Sequence, residues 1–156
     1  MSEPVSQEGP AALSSGLRLS LVTLGVTDLA RAIAFYEALG LRRRARGYEG
    51  VAFFDAGGAV LSLFPRGDLA ADAGIANGAA SGFAGLALAC NVSSEAEVDA
   101  LLARAVAFGG ELVKAGQTVF WGGYSGYFRD LEGHLWEVAF NPFAPFDAAG
   151  HLVLPD

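Results

Sequence analysis

Asp55-Ala56-Gly57-Gly58-Ala59-Val60-Leu61-Ser62-Leu63 lies without a gap over Asp130-Leu131-Glu132-Gly133-His134-Leu135-Trp136-Glu137-Val138. Each stretch reads as an aspartate opening a glycine-bearing turn, followed by a strand, which is a hairpin signature. What precedes each hairpin also repeats. Before the first, Leu17 to Val26 reads as a strand and Thr27-Asp28 offers a helix N-cap. Leu29, Ile33, Phe35, Tyr36 and Leu39 follow at helical spacing up to Gly40, a helix stop, and Tyr48–Phe54 leads into the turn. Before the second, Phe83 to Val92 is strand-like, and Ser94 with Glu97 has the spacing of a capping box. Val98, Leu101, Leu102, Ala105 and Phe108 then mark an amphipathic helix closed by Gly109-Gly110. Leu112-Val113, Thr118 to Trp121, Tyr124 to Phe128 and Leu135 to Phe140 supply further strands, and Pro142 and Pro145 end the sheet pattern. Matching elements in the same order indicate a duplicated module. The expected fold is α+β, two βαβββ modules in tandem within one domain.

The expected boundaries are a loose arm over residues 1–16, a first module over 17–66, a Gly/Ala/Asp-rich linker over 67–82 with room for one helical turn, a second module over 83–142 and a tail over 143–156. The 156 residues are 53% hydrophobic and 17% charged, enough to bury a core and too apolar for general disorder. The net charge of −7 argues against nucleic acid or an anionic membrane as a partner. Arg42, Arg43, Arg44 and Arg46 read as dipole partners at the end of the first helix. Cys90 is the sole cysteine, so an intrachain disulfide and a multi-cysteine zinc site are out of reach, and it reads as a buried small hydrophobe. No apolar run approaches the about 20 residues of a membrane span, and the arm lacks a basic leader region, so the expected location is cytoplasmic.

Two stretches carry a family resemblance. Leu24-Gly25-Val26-Thr27-Asp28-Leu29-Ala30-Arg31-Ala32-Ile33-Ala34-Phe35-Tyr36 and Gly126-Tyr127-Phe128-Arg129-Asp130-Leu131-Glu132-Gly133-His134-Leu135-Trp136-Glu137 resemble the opening and closing motifs of the vicinal oxygen chelate superfamily of glyoxalases, bleomycin-resistance proteins and extradiol dioxygenases. Leu131 stands where the closing motif usually has proline. The resemblance implies paired modules whose curved sheets form a cleft, frequent homodimers, and metal ligands on the first and last strand of each module. Transferred residue by residue, those ligand positions fall on Leu21, Ser62, Gly85 or its neighbour, and Glu137.

Only Glu137 among these is a good ligand for a hard or borderline metal. A divalent catalytic site needs about three protein ligands, and the non-haem iron triad needs two histidines. The chain's two histidines are His134, expected to point outward from the hairpin with a structural role, and His151, in the tail. No cofactor is therefore expected, with a divalent metal left open. Pairing Phe128 with Leu135, and Gly126 with Glu137, puts Tyr124, Gly126, Phe128, Leu135 and Glu137 on one side of the second sheet. The matching side of the first carries Leu21, Val51, Phe53, Val60 and Ser62. Such a cleft is apolar and aromatic, with one carboxylate and one hydroxyl, and suits a small, largely apolar ligand. The candidate ligand-binding residues are Leu21, Phe53, Ser62, Trp121, Tyr124, Phe128 and Glu137, with Glu137 also the candidate base.

Three functions compete: a metal-free small-molecule binder; a lyase, isomerase or dioxygenase using Glu137 as base or metal ligand; and a partner-binding module whose cleft is filled by Phe53 and Phe128. A homodimer is the expected assembly. A chain with no cavity beside Glu137 would argue against both ligand-based functions.

Overall fold

The computed structural model describes residues 19, 21–74, 76–78, 83–84 and 86–153. The expected arm of residues 1–16, and Gly85, lie outside them. β1 (Leu21–Val26) runs into α1 (Leu29–Ala38), whose N-cap is Asp28: its Oδ1 accepts from the Arg31 N–H at 3.0 Å. α1 stops where Gly40 takes φ 101°, and the Leu41 N–H then closes back on the Tyr36 carbonyl. β2 (Arg42–Arg44), β3 (Ala52–Asp55) and β4 (Val60–Pro65) complete the first unit, and α2 (Arg66–Asp72) opens the connection. β5 (Leu88–Asn91), α3 (Glu95–Ala107), β6 (Glu111–Thr118), β7 (Tyr124–Arg129) and β8 (Leu135–Phe140) form the second. Ser94 Oγ accepts from the Glu97 N–H, and the Glu97 carboxylate reaches back to the Ser93 N–H, so the expected capping box is built one residue early on its return bond.

The strands form two four-stranded mixed sheets, ordered β1-β4-β3-β2 and β5-β8-β7-β6, which is the expected α+β pair of tandem modules. In each, the leading strand runs parallel to the last strand and the others are antiparallel. One face of each sheet is covered. Leu24, Val26, Ala52, Phe54, Leu61 and Leu63 from the first sheet share a single core with Phe35 and Tyr36 of α1. Val98, Leu102, Phe128 and Val138 of the second module belong to the same core. The helix-bearing faces of the two sheets thus bury one another, and the opposite faces look away from that core.

Tyr36 fastens the modules together. Its hydroxyl donates to Asp130 Oδ2 at 2.6 Å and accepts from Trp136 Nε1 at 3.1 Å, within a residue only 2% exposed. Asp130 also accepts from the backbone N–H groups of Glu132 and His134 and pairs with His134 Nδ1 at 2.8 Å. Burial alone would raise the Asp130 pKa. The bonds from His134 and Tyr36 outweigh it and hold the carboxyl below its ordinary value, while burial and the Asp130 charge push the Tyr36 phenol far above its own. At the edge of the same junction Glu132 accepts from Thr27 Oγ1 and from the Asp28 N–H.

Three local expectations are corrected. The arginine run forms edge strand β2 instead of a helix end, because Gly40 stops α1 before it is reached. Residues 118–121 do not make a separate strand: β6 runs unbroken to Thr118 with two register shifts, and the chain then turns, the Gly122 N–H bonding the Val119 carbonyl. Most consequential, Phe128 pairs with Trp136 rather than Leu135, and Gly126 with Val138 rather than Glu137. The cause is the loop. Asp130 and His134 bond across it, and Gly133 adopts φ 87° inside a loop of odd length, whereas the first hairpin closes Ala56 on Ala59 around a loop of even length. A one-residue difference of register turns the whole partner strand over.

Candidate functional site on the open sheet faces

The cross-strand register fixes what the open faces carry. On the first sheet one row reads Arg44, Phe53, Ser62, Thr23, and the next Arg42, Asp55, Val60, Leu21. Leu21, Phe53 and Ser62 therefore stand together on one face as expected, with the Tyr48 ring edge-on to Phe53 at 6.0 Å. Ser62 is buried on this face, while Leu21 is 41% exposed at the edge of the sheet. Arg44 lies 3.8 Å from Asp55, both of them exposed.

On the second sheet the rows read Lys114, Tyr127, Glu137, Ala89 and then Gln117, Ser125, Ala139, Asn91. Glu137 is half-buried and its neighbour is Tyr127. Partial burial and the neighbouring Glu137 carboxylate raise the Tyr127 pKa, so its hydroxyl stays a donor across the physiological range. Tyr127 and Lys114 were missed from the sequence because the loop parity that places them was not legible there, and Asn91 reaches this face through the parallel register of β5 with β8.

Tyr124 and Phe128 do not share this face with Glu137. Tyr124 donates to the Asp99 carboxylate of α3 at 2.9 Å, which braces the sheet against its helix and raises the phenol's pKa. Phe128 is 2% exposed and stacks on Trp136, the rings 6.2 Å apart and 3° from parallel. It also lines an apolar crevice of about 80 Å³ with Tyr36, Leu101 and Cys90, far smaller than ligand pockets of roughly 300–1,000 Å³. Burial pushes the Cys90 thiol up, in keeping with an inert role. Trp121 sits in the turn after β6, its ring against Gly123, near the exposed Phe120 and Phe143. His134 does not point outward: its ring is half-buried against Asp130.

The positions at which the resemblance implies metal ligands offer a poor donor set. Leu21 has no donor atom, Ser62 one hydroxyl, and Glu137 one carboxylate, while a glycine at position 85 would supply no side chain at all. These residues do not fit a divalent catalytic centre, which takes about three strong protein ligands. Among the described residues no three His, Cys, Asp or Glu side chains converge. Glu137 does not line the apolar crevice that Tyr36 and Phe128 share. No helix among the described residues is long and apolar enough to cross a membrane.

Residues 18–138 match the family model described as Glyoxalase/Bleomycin resistance protein/Dioxygenase superfamily. A search of the curated proteins found no match. Among solved structures, the chain is similar to a glyoxalase-related enzyme from Fulvimarina pelagi, at 36% identity and a TM-score of 0.80, over 89% of this chain and 99% of that one. It is also similar to a lactoylglutathione lyase from Agrobacterium tumefaciens, at 26% identity and a TM-score of 0.60, over 82% and 96% of the two chains. A glyoxalase/bleomycin resistance protein/dioxygenase from Nocardioides aligns at 25% identity and a TM-score of 0.64, over 82% and 85%.

Proposed function

Since the chain belongs to the glyoxalase/bleomycin resistance protein/dioxygenase superfamily, we propose that it is a metal-free member that binds a small apolar or aromatic molecule between open sheet faces closed by a second copy of the chain. The observation that carries this proposal is the direction of those faces. The helix sides of the two modules bury each other, leaving Glu137 and Tyr127 on one side and Leu21 and Phe53 on the other facing away from that core, with Ser62 covered beneath its neighbours. A cleft between such faces needs another chain. β1 and β5 lie at sheet edges, where unpaired backbone groups invite a partner strand. Leu19 at 73% and Leu21 at 41% exposure line the β1 edge with apolar surface suited to burial in a homodimer.

Within a closed cleft, Phe53 and Leu21 would supply apolar contact, Tyr127 a hydroxyl, and Glu137 an acceptor for a ligand N–H or O–H, while the buried Ser62 would lie beneath them. The cross-strand position of Tyr127 opposite Glu137 favours one alternative, a lyase or isomerase in which Glu137 takes a proton from the ligand and the Tyr127 hydroxyl steadies the carboxylate. Sedimentation equilibrium combined with a thermal-shift screen of small aromatic compounds tests the proposal. The expected result is a dimer that hits from the screen stabilise, with that stabilisation lost in Glu137→Gln. A monomer at tens of micromolar that no compound stabilises would contradict it.

A further inference from the structure

A second site lies at the module junction, away from the Glu137 face. Beside the β7–β8 hairpin is a cavity of about 290 Å³, at the lower end of the size that holds small molecules. Neither Glu137 nor Ser62 lines it. Three separate elements bring basic groups to its wall: Arg66 opens α2, Arg129 ends β7, and His134 follows the hairpin turn.

Each of these side chains is positioned by the protein and has hydrogen-bonding capacity left over. Arg66 gives its Nε–H to Asn77 Oδ1 and one Nη2–H to the Gly78 carbonyl, both at 2.9 Å, which leaves Nη1 uncommitted by those bonds. Arg129 gives one Nη1–H to the Gly133 carbonyl at 3.1 Å. His134 turns Nδ1 to Asp130, so Nε2 is the ring nitrogen that remains for the cavity. Asp130 is itself fixed by Tyr36 and two backbone N–H groups, the second-sphere arrangement that sets an imidazole's orientation.

The wall also carries one acid, Glu132, held by Thr27 and the Asp28 N–H. Two guanidiniums against one carboxylate leave a single excess positive charge, which matches a monoanion better than a phosphate dianion. Phe83, Leu88 and Leu135 make the rest of the wall apolar.

We propose that this cavity binds a small monocarboxylate with a short apolar or aromatic body. The Arg66 and Arg129 guanidiniums take the carboxylate, and His134, its Nδ1 held by Asp130, forms part of the wall around it. Arginine forks suit a planar carboxylate, and charge-assisted bonds in a half-buried site are the strong ones. The site does not rest on the Glu137 cleft, and either can stand without the other.

Isothermal titration calorimetry on the full chain tests this with phenylacetate and hexanoate as probes, 2-phenylethanol as the uncharged match and phenyl phosphate as the dianion. The carboxylates are expected to bind, and the alcohol and the dianion each to bind about tenfold more weakly or worse. Arg129→Gln and Arg66→Gln should each weaken phenylacetate about tenfold, as expected for one charge-assisted contact. Arg66 lies outside the shared core, so its variant keeps the test open should Arg129→Gln fail to fold. Failure of both carboxylates to bind, equal binding of the alcohol, or loss of binding in Glu137→Gln with the arginine variants unaffected would overturn the proposal.

Discussion

Removing the Tyr36 hydroxyl probes the junction on which both modules depend. Tyr36→Phe keeps the ring, which packs 6.1 Å from Phe54 and 5.3 Å from Phe35, and deletes only the group between Asp130 and Trp136. The lost bond to Asp130 is short, buried and made to an ionised acceptor, a class worth about 1.5–3 kcal/mol net. Trp136 Nε1 loses its acceptor as well, at a cost of about 1 kcal/mol. Asp130 keeps three other donors, from His134 Nδ1 and two backbone N–H groups, so its charge is not stranded and the sum falls toward the lower end. We expect a destabilisation of about 2–3 kcal/mol. Urea unfolding at neutral pH should show the midpoint fall with an unchanged slope, because the same surface is exposed on unfolding. For a domain of this size the thermal midpoint should drop by about 4–12 °C. In a double-mutant cycle Tyr36→Phe and Asp130→Asn should be strongly non-additive. A loss below about 0.5 kcal/mol, or simple additivity, would refute the assignment of this bond as the link between the modules.

The remaining predictions concern the same hairpin and its sheet. Asp130 has a depressed folded pKa, so its contribution is complete above the unfolded carboxyl value of about 4 and is lost as the pH falls through the lower folded value. Stability measured by urea titration should therefore decline on that acid limb, and Asp130→Asn should flatten the decline while lowering stability at neutral pH. Gly126→Ala would set a Cβ 2.5 Å from Leu102 Cδ1 and 2.7 Å from the Lys114 carbonyl, and the backbone contact cannot relax cheaply. A loss of about 2–3 kcal/mol is expected in chemical denaturation. Gly133→Ala meets no neighbour but must hold a left-handed φ of 87°, so a loss of about 1 kcal/mol is expected; a neutral result would argue against the odd-length loop.

Much of the architecture could be read from local chemistry. Asp28 and Ser94 cap the helices they were expected to cap, and the paired hairpins do close two modules of one topology. Elements whose form depends on one backbone choice were harder. Whether Gly133 enters the left-handed region inside an odd-length loop decides which face of β7 accompanies Glu137, and a gapless alignment of the two hairpins carries no sign of it. That single difference moved Phe128 and Tyr124 to the helix side and put Tyr127 beside Glu137. The Tyr36–Asp130 bond, between residues 94 apart, joins two motifs each visible on its own but not visibly in contact. The cavity at the junction draws Arg66, Arg129 and His134 from three elements, and no spacing along the chain connects them.

The central claim, that the Glu137 face works without a metal, is tested most directly by elemental analysis. The untagged protein would be incubated with nickel, zinc, manganese or ferrous iron and then gel-filtered. With Glu137 as the only strong donor among the described family positions, no metal should remain at stoichiometric level. One tightly held equivalent per chain, abolished by Glu137→Gln, would contradict the claim and restore a metal-dependent lyase or dioxygenase.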